Sequence, residues 1–142
     1  MSAYQLVFGY GAIMHREDMR ELAPNASLLD IGRLRDWRIG VTSSGWLGIT
    51  PEPEGVVHGA LFQLGPDDES RLDAFEAIDR GLYTKRILPV DTSKGTSQAL
   101  VYVPTEHLDG VVRNDYLQRC VEAGRELGLP TSWLETLQLL HS

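Results

Sequence analysis

The order of extended and helical segments limits the possible folds more than any other feature of this chain. Short runs rich in β-branched and aromatic residues predict strands. The predicted strands are Tyr4–Gly9, Leu28–Arg33, Trp37–Thr42, Val56–Leu64, Leu82–Val90 and Gln98–Val103. Because these strands do not alternate strictly with helices, the order argues against a doubly wound parallel sheet. It favours an α+β domain, in which a curled, mostly antiparallel sheet or small barrel carries flanking helices.

Loops and helices fill the remaining sequence. The segment Ser43–Gly55 is punctuated by Gly and Pro and predicts a loop, with Leu47–Thr50 extended. A short polar helix is predicted over His15–Leu22. Another helix is predicted to have Pro66 in its first turn, where the missing N–H of proline costs nothing. Its apolar face would consist of Leu72, Phe75 and Ile78.

The end of the chain is predicted to form two helices with apolar stripes. The sequence Gly128-Leu129-Pro130 separates them. The stripes consist of Tyr116, Cys120 and Ala123 in the first helix and Trp133, Leu134, Leu137 and Leu140 in the second. Such stripes usually pack in a core, although an exposed face would suit a homodimer, so both monomer and homodimer stay open.

Length and charge exclude several classes of protein. The chain has 142 residues, which suits a single domain over residues 1–142. Its net charge of −7 argues against a nucleic-acid partner. The single cysteine, Cys120, excludes a disulfide within the chain and suits a reducing compartment. Neither a signal peptide nor an apolar run of membrane-spanning length is evident, so we expect a cytoplasmic protein without a membrane partner.

A glycine-flanked turn follows the first predicted strand in "FGYGAIM", Phe8–Met14. Gly9 and Gly11 permit positive φ angles and leave the main chain uncovered, and a following helix would direct its free N–H groups to the same place. Such a turn can hold a carboxylate or phosphate. Taken alone, it favours a plain connection between strand and helix, because neither a third glycine at dinucleotide spacing nor a Gly-Lys-Ser/Thr follows.

Glu76 is the strongest candidate for acid–base chemistry. It lies four residues after Leu72, at the border of the predicted apolar face, where partial desolvation would raise the pKa of its carboxyl group. Asp79 lies closer to the centre of that face and competes for the role, whereas Asp73 points further out. The alternative for Glu76 is an ordinary solvated glutamate, which is the usual fate of glutamate on a helix.

The remaining candidates are weaker. The four histidines are scattered, so no metal site is predicted. Cys120 is expected to be a core thiol, and no G-x-S-x-G motif indicates a serine hydrolase. Tyr83 could project its hydroxyl near Glu76. Trp37 and Trp46 are expected to pack, with Trp46 lining a cleft from its loop.

Four motifs together resemble the γ-glutamylcyclotransferase-like superfamily, which includes the AIG2-like proteins. "FGYGAIM" resembles its tyrosine-glycine-serine strand end, and Arg33–Leu64 resembles its arginine/tryptophan strand, glycine-rich loop and following strand. "LDAFE", at the start of Leu72–Val90, is similar to its "L-D-x-F-E" helix. Tyr116–Leu137 resembles its C-terminal "G-L-P" helix pair. These motifs occur in the family's order over nearly the whole chain.

The resemblance implies a small mixed barrel with flanking helices and a cofactor-independent reaction. Members convert a small γ-glutamyl compound into 5-oxoproline and a free amine by attack of the substrate's own α-amine, an amide-cleaving acyl transfer. The resemblance places the acid/base on Glu76 and the glutamyl-binding loop on Tyr10, Gly11, Ala12 and Ile13. It also implies that Tyr83 contacts Glu76 or the substrate.

Two departures leave the substrate open. Ala12 replaces the family's serine, and Ala77 replaces the glycine that often follows the glutamate. The candidate substrates are γ-glutamyl amino acids, γ-glutamylamines including isopeptide fragments, or another acylated amine, with the glutathione-specific branch disfavoured. A non-catalytic ligand-binding module on the same fold and a purely structural protein remain as alternatives.

Overall fold

Five strands close into a barrel in the computed structural model, which describes residues 5–141. The described part of the chain also contains four α-helices. The strands are β1 (Gln5–Gly9), β2 (Ser27–Val41), β3 (Leu47–Leu64), β4 (Tyr83–Thr92) and β5 (Gly95–Pro104). The helices are α1 (Arg16–Leu22), α2 (Asp68–Phe75), α3 (Asn114–Leu127) and α4 (Thr131–Gln138).

The barrel has the strand order β1-β3-β2-β4-β5 and closes between β5 and β1. The closing pair is parallel, with Val7 opposite Leu100, and every other pair is antiparallel. This architecture confirms the predicted α+β class and the mostly antiparallel barrel. The first predicted strand is confirmed from Gln5 onward, while Tyr4 lies outside the described residues.

The β2–β3 hairpin is the main departure from the predicted elements. Leu28–Arg33 and Trp37–Thr42 are not separate strands, because β2 continues through the expected turn with a bulge between Arg35 and Trp37. Asp36 takes a φ of 71° there, and its side chain accepts a hydrogen bond from the Glu54 amide at 3.1 Å.

The loop predicted over Ser43–Gly55 is also mostly wrong. β3 begins at Leu47, as the extended Leu47–Thr50 suggested, and then continues through both prolines, with Pro51 opposite Trp37 at the bulge. Proline is tolerated in a strand at such irregular positions, since the pairing there lacks a regular ladder of hydrogen bonds. The glycines and prolines of Ser43–Gly55 therefore belong largely to a kinked strand and not to a loop.

Helix α2 is shorter than its sequence pattern predicted. Pro66 lies two residues before it rather than in its first turn, and α2 ends at Phe75. Leu72 is fully buried, but Phe75 is 48% exposed and Ile78 belongs to a separate 3-10 turn, Ile78–Arg80. The helix stops because Ala77 adopts a left-handed conformation with φ of 54°. The expected continuous face of Leu72, Phe75 and Ile78 is therefore wrong.

The C-terminal helices confirm the predicted stripes. In α3, Cys120 and Ala123 are buried and Tyr116 is half-buried; in α4, Trp133 and Leu137 are buried. Gly128 ends α3 with a φ of 82°, a conformation that favours glycine. Among residues 5–141, no helix has the length and apolar character needed to cross a membrane.

Candidate active site

A cavity of about 630 Å³ opens where the end of β1 meets the end of α2 and the start of α3. Ligand sites of small molecules commonly have this size. The lining includes the six residues that the family resemblance assigned to the site: Tyr10, Gly11, Ala12, Ile13, Glu76 and Tyr83. Segments far apart in the sequence thus contribute to a single cavity.

The two glycines of the turn serve close packing rather than the predicted positive φ. Gly11 has a φ of −131°, and neither glycine is in the left-handed region. A Cβ at Gly9 would lie 2.8 Å from Ile13 Cγ2, and one at Gly11 would lie 2.9 Å from the Tyr116 hydroxyl oxygen. Glycine is needed because the turn folds back on itself and α3 packs directly against it.

The turn itself supplies free main-chain donors. Ala12–Met14 form a 3-10 turn in which the amides of Met14 and His15 bond to the carbonyls of Gly11 and Ala12. Within residues 5–141, the amides of Gly11, Ala12 and Ile13 donate to no protein acceptor. In α1 the His15 side chain accepts from the Asp18 amide and so occupies one donor at the start of this helix. The contribution of the other α1 amides to the turn stays a prediction. Main-chain amides without a protein acceptor are the kind of donor that commonly binds anions.

Glu76 lies one residue beyond α2, where its amide bonds to the Leu72 carbonyl at 2.8 Å. The left-handed Ala77 follows and turns the chain away from the helical path. Burial of the Glu76 carboxyl group raises its pKa from 4.5 to about 7. A carboxyl group with this pKa can both accept and donate a proton near neutral pH.

The neighbouring aspartates do not share this environment. Asp79 is exposed on the 3-10 turn and does not line the cavity, so its predicted place near the centre of an apolar face is wrong. Asp73 is half-buried rather than pointing outward. It accepts hydrogen bonds from Tyr102 at 2.7 Å and from Lys85 at 2.9 Å.

Three tyrosine hydroxyl groups surrounding the cavity donate to protein acceptors. Tyr10 donates to the Tyr102 carbonyl at 2.7 Å, Tyr83 to the Leu47 carbonyl at 3.2 Å, and Tyr102 to Asp73. Burial raises the pKa of all three, and the nearby Glu76 charge raises it further. Because a hydroxyl has one proton, each oxygen offers only lone pairs to a bound molecule. This lining suits a ligand that donates hydrogen bonds, such as an ammonium group.

Tyr102 is a site residue that sequence reasoning missed. It lies in the predicted strand Gln98–Val103, but its partner Asp73 is on α2, 29 residues earlier. No local pattern connects the two positions. The alternation of side chains along β5 shows only which face of the strand Tyr102 lies on. No signal in a single sequence therefore identifies its hydrogen bond to Asp73.

Other predicted candidates have structural roles. Cys120 is buried and lines the cavity; burial raises the pKa of its thiol to about 12, which makes it a poor nucleophile near neutral pH. Trp37 is buried, as expected, and Trp46 lines the cavity. Among the described residues, no group of three or more His, Cys, Asp or Glu side chains is arranged to hold a metal ion.

The barrel and the cavity at the end of β1 define a cyclotransferase-type fold. A family model described as "Gamma-glutamyl cyclotransferase, AIG2-like" matches residues 7–122. The chain belongs to this family. No curated protein sequence matches it.

Solved structures agree with the family at the level of the fold. One described as a γ-glutamyl cyclotransferase has a TM-score of 0.89 and 22% identity, covering 96% of this chain and 87% of the other. An uncharacterised protein from Homo sapiens has the same TM-score and identity, with coverages of 96% and 88%. A yeast γ-glutamyl cyclotransferase specific to glutathione has a TM-score of 0.67 and 10% identity, covering 98% and 96%.

Proposed function

We propose that this protein is a γ-glutamyl cyclotransferase that releases 5-oxoproline and a free amine from a small γ-glutamyl compound. The observation that carries the proposal is the position of Glu76. Its carboxyl group, with a pKa of about 7, lines the same cavity as the turn with free amides. Family membership and the fold support the same class of reaction.

The substrate's glutamyl head has two charged groups that suit this cavity. Its α-carboxylate would accept hydrogen bonds from the amides of Gly11, Ala12 and Ile13. Its α-ammonium would donate to Glu76 and to the lone pairs of the tyrosine hydroxyl oxygens, among them that of Tyr83. Since the amides require no side chain, Ala12 in place of serine retains this mode of binding and removes only a hydroxyl contact.

The reaction requires two protons to leave the α-nitrogen and two to arrive at the leaving nitrogen, because an ammonium becomes a ring amide and an amide becomes a free ammonium. The α-ammonium cannot attack until it loses a proton, and ionised Glu76 would accept that proton. The free amine then attacks the γ-carbonyl carbon and forms the five-membered ring. As the bond to the leaving nitrogen breaks, protonated Glu76 returns the proton to it. The Glu76 carboxylate then accepts the second proton of the ring nitrogen and passes it to the released amine, which leaves as an ammonium. The products contain all the atoms of the substrate, so no water or co-reactant is consumed.

Holding the substrate in a bent conformation would supply much of the rate. Anchoring the α-carboxylate at the turn and the ammonium at Glu76 places the amine near the γ-carbonyl. Well-oriented intramolecular attack gains effective molarities of about 10⁵–10⁸ M. General acid–base catalysis adds about 10²–10⁴-fold.

The test is a direct assay of 5-oxoproline release. The protein is incubated with γ-glutamyl amino acids and γ-glutamylamines, and the products are quantified by mass spectrometry. We expect turnover of at least one of these compounds, with Glu76→Gln lowering kcat by about 10²–10⁴-fold. The exposed neighbour Asp79→Asn is the matched control and should retain activity. Binding without turnover in the wild type would instead favour a non-catalytic module, and full activity of Glu76→Gln would refute the assigned role.

A further inference from the structure

The cavity has an apolar mouth that the glutamyl head does not explain. Two of its lining residues are large apolar side chains that remain accessible, Trp46 at 39% and Phe75 at 48%. Exposing large apolar side chains forgoes the free energy of burial, so their presence in the lining of one cavity usually indicates a binding surface. The glutamyl head, by contrast, is polar and fits the donors and acceptors around Glu76.

Trp46 is held in place by contacts on several sides. Its amide and carbonyl both bond to Thr42, at 3.2 Å and 2.7 Å. Tyr116 packs edge-to-face against the indole, with ring centroids 5.0 Å apart, and the Arg113 guanidinium lies 4.6 Å from the ring centroid. A ring fixed in this way loses little conformational freedom on binding, which favours its use as an anchor.

Phe75 connects this apolar mouth to the reaction. It is the last residue of α2 and directly precedes Glu76, so both residues reach the cavity from one short segment. In the proposed reaction Glu76 protonates the leaving nitrogen. Groups attached to that nitrogen therefore lie within reach of the segment that contains Phe75.

The charged side chains at the cavity favour no strongly charged leaving group. Asp18 and Arg119 form an ion pair in which Arg119 Nη2 donates to both carboxylate oxygens, at 2.6 Å and 2.7 Å. Glu21, Asp115 and Arg80 also line the cavity, and all three are exposed to solvent. Since exposed charges of mixed sign are screened by water, they discriminate weakly.

We propose that the leaving amine carries an aromatic group that packs against Trp46 and Phe75, as in a γ-glutamyl arylalkylamide. This inference rests on the proposed function and specifies its substrate class. The aromatic ring would contact the side of the indole that Arg113 and Tyr116 leave open, while the glutamyl head occupies the turn. Small amines and amines with a charged tail lack a group to fill this mouth.

The experiment compares three substrates that differ only in the leaving amine: γ-glutamyl-2-phenylethylamide, γ-glutamylethylamide and the cationic γ-glutamyl-4-aminobutylamide. For the wild type we expect kcat/KM for the phenylethylamide to exceed that for each of the others roughly tenfold or more. Trp46→Ala and Phe75→Ala should each reduce this ratio. Leu139→Ala, which removes an 85% exposed side chain on the C-terminal segment, is the control and should leave the ratio unchanged.

The inference is overturned if the wild-type ratio is close to one, if the cationic amide is preferred, or if both variants preserve the ratio. Failure of the proposed function is distinguishable, because none of the three substrates would then yield 5-oxoproline. In that case, calorimetry on the Glu76→Gln protein tests the aromatic mouth by itself. Binding of the phenylethylamide roughly tenfold tighter than the ethylamide supports the inference, and equal affinities overturn it.

Discussion

Replacing Glu76 with glutamine should change how the stability of the protein depends on pH. Burial raises the pKa of the Glu76 carboxyl group from 4.5 to about 7. The folded state therefore binds more protons than the unfolded state between these pH values, and the free energy of unfolding falls as pH rises through them. The shift corresponds to at most about 3 kcal/mol, since each pKa unit corresponds to about 1.4 kcal/mol.

Glutamine has nearly the same shape as glutamate and no charge, so the free energy of unfolding of Glu76→Gln should not fall in this way as pH rises. Relative to the wild type, we expect it to gain up to about 3 kcal/mol of stability between pH 4.5 and pH 8. The assay is urea denaturation of both proteins at several pH values, with Asp79→Asn as the exposed control. If the difference between Glu76→Gln and the wild type stays constant across this range, the argued burial of the carboxylate is wrong.

Four further substitutions test the structure around the site. Asp68 is fully buried and accepts from two backbone amides, so Asp68→Ala should lower the free energy of unfolding by about 2–4 kcal/mol, measured by urea denaturation. Tyr102→Phe removes a lone pair offered to the substrate and the donor to Asp73; steady-state kinetics should show KM raised roughly tenfold and kcat less affected. Ala77→Gly should not lower Tm, because glycine relieves the left-handed conformation, whereas Ala74→Gly within α2 should cost about 1 kcal/mol. Unchanged stability of Asp68→Ala, an unchanged KM of Tyr102→Phe, or equal losses in the two glycine variants would contradict these arguments.

The sequence predicted the barrel because apolar strand patterns survive local irregularity. Its errors fall where pairing with a distant strand overrides local signals. The prolines of β3 and the turn-like segment around Asp36 both suggest chain reversal, yet they belong to one hairpin whose two strands kink together at a bulge. A single strand read in isolation contains no information about its partner's bulge.

The candidate site was partly predictable for similar reasons. The border position of Glu76 correctly suggested a desolvated carboxylate, although the residue lies just past the helix rather than within it. The glycines of the turn were singled out for positive φ angles, which they do not adopt. They are instead approached closely by Ile13 and Tyr116, and the contact with Tyr116 depends on tertiary packing that the sequence does not show. Tyr102 was missed because its hydrogen bond spans two elements.

The pH dependence of kcat/KM tests the central claim most directly. The account requires Glu76 to be ionised in the free enzyme before it accepts the substrate's proton, so kcat/KM for 5-oxoproline release should rise with pH and bend at about 7. This rise of kcat/KM with pH, the acidic limb of the profile, should disappear in Glu76→Gln along with most of the activity. A wild-type profile that is flat from pH 5 to pH 8, or a limb that persists in the Glu76→Gln protein, would contradict the role assigned to this carboxylate.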